Sequence, residues 1–244
     1  MDRDPVQFEG WSGVAQQQAA SLEHASRSQM AATFMNQVFG WMAGGLAVSG
    51  GVAWWVTGSQ GALQAVAGLF MPLIIAEFLL VLGLSAALHK MSAAVAAGGF
   101  LVYSALNGLT LGLILSMYTG ASVANVFFIT AGTFTAMATI GAVTKKDLSS
   151  IGSFLMMGVI AIVIASVVNI FLHSSALNWA VSVLGALIFT VLTAVDSQRF
   201  RKMGYMGFAN EREAGQFAIR GALNLYLDFV NMFLFLLRLF GSRR

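Results

Sequence analysis

Three carboxylates in this chain stand where water is scarce. Glu77 lies inside "LIIAEFLLVL", Asp196 follows "TVLTAV", and Asp228 sits in "NLYLDFVNMFLFLLRLFG", with no Lys or Arg in the middle of these apolar runs to neutralise them. An acid inside a membrane is expensive, and by default it marks a functional site. On the last run Asn224 precedes Asp228 by four residues and Asn231 follows by three. At about 100° per residue these side chains share one face with Arg220 and Arg238, within an arc of about 80°. One reading is that the stripe joins helices through amide hydrogen bonds. The other is proton chemistry, because an amide would join helices at lower cost than an ionisable acid. Two carboxyl groups in contact cannot both ionise cheaply, so they share a proton and titrate as a pair. A pair of carboxylates also suits calcium, which takes hard oxygen ligands.

The setting for these acids follows from composition. Of 244 residues, 58% are apolar and 9% are charged, against about 25% charged in a soluble domain. The chain cannot coat a globule with charge and reads as a membrane protein. Cysteine is absent, which excludes disulfides and thiolate metal sites. The basic residues are scattered through short joints, so no basic face exists for nucleic acid. No resident cofactor is expected.

Seven apolar stretches approach the roughly 20 residues needed to cross a bilayer, at roughly 35–57, 63–88, 93–117, 122–143, 151–172, 177–195 and 217–240. Residues 1–30 are polar and read as a disordered cytoplasmic tail, which leaves 31–244 as the membrane domain. Short joints imply an all-α, up-and-down bundle. The joints after spans two, four and six carry Lys90, then Lys145 and Lys146, then Arg199, Arg201, Lys202 and Arg212; the intervening joints carry no Lys or Arg. That alternation predicts a cytoplasmic amino terminus. It also predicts a full crossing by span seven, although Arg238, Arg243 and Arg244 then lie outside. Gly40 with Gly44, and Gly108 with Gly112, have the spacing of close helix contacts. Pro72 interrupts span two.

The segments "TKKDLSSIGSFLMMG", "VVNIFLHSSALNWAVSVLGALIFT", "AVDSQ" and above all "NLYLDFVNMFLFLLRLFG" resemble the transmembrane Bax inhibitor motif family, in its bacterial members. The resemblance implies six helices around a central last helix. It implies a pH-sensitive calcium leak in the bacterial inner membrane, and no enzyme. It makes Asp196 and Asp228 a hydrogen-bonded, proton-sensing pair and a place for Ca2+ in transit. By their own places in the apolar runs, Glu77, Asn224 and Asn231 are accessory candidates on the pathway. The family's basic partner at the cytoplasmic end of the second helix has His89 and Lys90 as its nearest counterparts, with Arg199 as a third candidate beside Asp196. The implied partners are calcium ions, protons and the bilayer. Two other classes are kept: a regulatory protein that binds other membrane proteins or a membrane protease, and a proton-coupled cation exchanger. Intramembrane protease motifs (Gly-x-Gly-Asp, Gly-x-Ser-Gly) are missing.

Overall fold

In a computed structural model the backbone is described for residues 6–244, and the side chains for 16–88 and 90–244. Residues 1–5 and the side chain of His89 lie outside the described residues. The described chain is all helical: α1 (Val6–Gly58), α2 (Gln60–Gly68), α3 (Phe70–Ala87), α4 (Ala93–Leu115), α5 (Gly120–Val143), α6 (Ser149–Leu172), α7 (Ser175–Met206) and α8 (Glu211–Phe240). A 3-10 turn, Leu88–Lys90, follows α3. The helices α3 to α8 are six elements long and apolar enough to cross a membrane. Large apolar side chains such as Phe78, Leu79, Ile160 and Phe171 point outward. In water they would be a liability; in lipid they are the expected surface.

Where the helices begin and end follows from local chemistry. Ser92, Thr119, Ser174 and Asn210 cap α4, α5, α7 and α8, each accepting from a backbone N–H in the first turn. Such caps satisfy donors that have no partner inside the helix. The second apolar stretch is two helices because of Pro72. Proline has no N–H for the Gly68 carbonyl and its ring crowds that group, so the break falls between α2 and α3 at Leu69. The polar head, read from sequence as a tail, is helical from Val6 onward and continuous with the first span. α7 runs ten residues beyond Asp196 before Gly207 (φ 82°) stops it. The sequence reading ended that span at 195; Gln198, Arg199, Arg201, Lys202 and Met203 are good helix formers and carry it on.

α8 holds the densest run of buried positions and packs against α1, α4, α5 and α7, while α3 rests on α4 and α6 on α7. Glycine sets the closest approaches. A Cβ at Gly108 would sit 2.7 Å from the Ser49 carbonyl oxygen, and one at Gly112 2.7 Å from Val56 Cβ, so α1 and α4 meet along that pair. The other expected pair does not behave this way. Gly40 and Gly44 face open space, and it is Gly45 that lies against Phe100 and Ser104.

The two ends of the bundle differ. At one end Lys202 pairs with Asp147 at 2.6 Å, joining α7 to the α5–α6 joint, and Gln216 of α8 donates to the Met91 carbonyl after the 3-10 turn. At the other end residues 241–244 lie along the α4–α5 joint. Thr119 N–H donates to the Ser242 carbonyl (3.0 Å), Arg244 N–H to the Met117 carbonyl (3.0 Å), and Ser242 N–H to Ser122 Oγ (2.8 Å). α8 therefore starts beside the basic joints and finishes at the opposite end.

Candidate functional site

α8 presents Asp228 about 26 Å from its first residue, at 1.5 Å per residue. Asp228 is 5% exposed and its Oδ2 has no hydrogen-bond partner. Only one other buried side-chain polar atom among the described residues shares that condition, Ser197 Oγ, next to Asp196 on α7. Because α7 continues past residue 196, Asp196 lies within the helix, and Asp228 Oδ2 makes no hydrogen bond to it. Neither Arg199 nor Arg220 forms an ion pair with Asp196 among the described residues. Arg201, on the same turn of α7 as Arg199, donates to the Ala142 carbonyl on α5.

Two cavities approach this place along the α6–α7 seam. One, about 460 Å³, is lined by Asp196, Ser149, Ser153, Arg199 and Lys202 and lies at the end with the basic joints. The second, about 500 Å³, is lined by Asn169, Asn178, Asn231, Phe235 and Arg238 toward the opposite end. Asn231 stands one turn beyond Asp228, and its Nδ2 donates to the Leu227 carbonyl at 2.8 Å. It is not drawn into the acid pair. It also lines a smaller cavity, about 290 Å³, shared with Glu77.

Glu77 belongs to a different cluster. Asn107 Nδ2 donates to Glu77 Oε2 at 3.1 Å, and Thr110 Oγ1 donates to Oε1 at 2.8 Å. Tyr226 donates its hydroxyl proton to Asn107 Oδ1 at 2.8 Å, and the Ser49 hydroxyl lies 2.6 Å from the same phenol oxygen. Ser49 Oγ in turn donates to the Ser104 carbonyl at 2.7 Å. A chain of polar groups thus ties α3, α4, α8 and α1 together. Sequence reasoning missed Asn107, Tyr226 and Ser49. The available signal was Asn107 itself, a lone amide in an apolar span, which must find a partner there.

A second missed group fastens the α5–α6 joint. Buried Gln198 accepts from Leu148 N–H (2.9 Å) and donates to the carbonyls of Thr144 (3.2 Å) and Lys146 (2.7 Å). Beside it, the Lys202 ammonium and Ser149 hold the Asp147 carboxyl down at about 2. Of the basic candidates, Arg199 is exposed next to Asp196, and Lys90 is exposed in the 3-10 turn with no ion pair among the described residues. Nowhere among the described residues do three or more His, Asp or Glu side chains gather to hold a metal.

Comparison with known proteins gives a consistent picture. A family model described as "Inhibitor of apoptosis-promoting Bax1" matches residues 31–244. The chain is 46% identical over 216 residues to "Inner membrane protein YbhL" of Escherichia coli strain K12, covering 87% of this chain and 92% of that protein. It is 43% identical over 227 residues to an uncharacterised protein of Deinococcus radiodurans (93% and 97% covered). It is 40% identical over 223 residues to one of Caulobacter vibrioides (86% and 89% covered).

Proposed function

The chain belongs to the family described as inhibitor of apoptosis-promoting Bax1, and from that premise we propose that it is a pH-sensitive calcium leak of the bacterial inner membrane, gated by Asp196 and Asp228. The reading takes seven crossings: the apolar part of α1 and each helix from α3 to α8 apart from the short turn. α8 is the helix the others hold, and the amino terminus is cytoplasmic, on the side of the basic joints.

The observation that carries the proposal is the Asp228 Oδ2 atom, buried and unpartnered on a helix packed against α7, which carries Asp196 at the edge of a cavity. A buried polar atom left without a partner costs about 1–3 kcal/mol, and its retention calls for a use. While the pair holds a shared proton, α7 and α8 stay together and the two cavities stay apart. Loss of that proton sets two like charges side by side. They then separate or take up a cation, and either event moves α8 against α7. Ca2+ is the substrate here, and carboxylate and amide oxygens suit it. Asp196 faces one cavity, while Asn231, Asn169 and Asn178 offer amide oxygens along the other. Arg199, close to Asp196 and exposed, is the basic group placed to steady the ionised form.

Calcium flux into proteoliposomes, measured against pH with several cations, tests this. Passive flux that varies with pH in the unsubstituted protein, and does not in Asp196→Asn or Asp228→Asn, is the expected result. An unchanged pH profile in both variants sinks it. Saturable flux that moves protons the other way would make the protein an exchanger. A regulatory reading has one observation of its own: the exposed polar helix of residues 16–30, which offers a docking segment outside the apolar domain. Membrane-protein partners retained by the double aspartate variant would favour it.

A further inference from the structure

α1 and α5 both pack on α8, yet they do not pack along each other. Where they part, a groove of about 810 Å³ opens, within the roughly 300–1,000 Å³ of small-molecule sites. Its floor is Phe229 and Phe233 of α8, and its walls include Leu46, Leu115 and Phe128. No acid lines it. One end differs from the rest. There Thr57 and Arg244 line the groove, and the Arg243 guanidinium lies 5.9 Å from the centre of the Tyr118 ring that also lines it. Trp54, 80% exposed, stands at the same end, as aromatic residues do at a membrane–water boundary. The two arginines are held there by main-chain bonds of residues 242–244 to the α4–α5 joint.

The shape is apolar along its length and cationic at one end. Any apolar face in a bilayer is wetted by lipid, so the informative feature is the charge. Guanidinium groups recognise phosphate through paired hydrogen bonds. We propose that this groove is a binding site for an anionic phospholipid of the surrounding leaflet, with an acyl chain between α1 and α5 on Phe229 and Phe233 and the phosphate at Arg243 and Arg244. A second copy of the chain fits less well, because its α1 or α5 would bring no anionic group to the arginines: the acids on α1, Glu9 and Glu23, belong to its polar head, and α5 has none. The site stands apart from the leak reading, since it concerns binding and not flux.

Native mass spectrometry of the full chain, titrated with phosphatidylglycerol or phosphatidylcholine, reads the site directly. Phosphatidylglycerol is expected to bind roughly tenfold tighter or more, given two arginines near the membrane surface. Replacing both arginines (R243A with R244A) removes that preference and leaves the main-chain bonds in place. Gly50→Phe fills the groove. A Cβ at Gly50 meets nothing within 4 Å, so the new side chain starts into open groove, and binding of both lipids falls. Equal affinity for the two lipids in the unsubstituted protein overturns the proposal. So does a preference that survives loss of both arginines, phosphatidylglycerol binding unaffected by Gly50→Phe, or a dimer that buries the groove and excludes lipid.

Discussion

Two residues apart on α8, Tyr226 and Asp228 live in opposite polar circumstances. Tyr226 is fully buried and its hydroxyl bridges Ser49 and Asn107. Asp228 is nearly as buried and leaves Oδ2 without a partner. Residues two apart point about 200° from each other around a helix, so one face of α8 is fastened while the other carries an unpartnered acid. α7 repeats the arrangement. Gln198 makes three bonds to the α5–α6 joint, and Asp196, two residues earlier, has no ion-pair partner among the described residues. A satisfied polar network makes a packing unique, whereas a partly satisfied one is where a structure changes first. The molecule keeps both kinds side by side.

Substitutions that exchange the two conditions sharpen this contrast. The largest effect belongs to Asp228→Asn. Calcium flux in proteoliposomes becomes the same at about pH 6 and pH 8, because the amide does not titrate in that range. If the fastened residues carried the response instead, the profile would survive. Gln198→Ala comes next. It strips partners from Leu148 N–H and two carbonyls, so hydrogen exchange at residues 144–148 accelerates and stability falls by about 1–3 kcal/mol. Tyr226→Phe removes a single hydroxyl from the closed network. It costs about 1–2 kcal/mol in thermal unfolding and keeps the pH dependence of flux, which a gating role for Tyr226 would not allow.

The smallest effect is at Asp147, exposed and outside the spans. Its folded value is lowered to about 2 by Lys202 and Ser149, against about 3.9 in an unfolded chain. Its stabilising contribution is therefore present above about pH 4 and lost as pH falls through about 2. A carboxyl resonance with its midpoint near 2, moving toward 3.9 in Lys202→Met, checks the assignment. Asp147→Asn leaves flux near neutral pH as it was.

The spans were legible because apolar runs of this length have one use, and the helices α4 to α6 begin and end within two residues of where hydropathy puts them. The break in the second span was legible in Pro72. The extension of α7 was not, because hydropathy ends at Val195 while helical propensity does not. Asp196 and Asp228 stood out in sequence because charge in lipid is rare. Tyr226, Ser49 and Asn107 did not stand out together. Their meaning lies in a meeting of three helices, at separations of 119 and 177 residues, and no local pattern encodes that. Gly40 and Gly44 show the converse. The spacing was right, yet α1 turns Gly45, and not that pair, toward α4.

The strap formed by residues 241–244 is written almost entirely in main-chain groups. Any amino acid other than proline can supply the N–H and C=O groups of residues 242–244, whereas Gly241 is confined, because a Cβ there would run into the Leu237 carbonyl oxygen. Tolerance to replacement at 242–244 would hide an intolerance to shortening. What the seam draws from residues 242–244 is reach rather than side-chain identity.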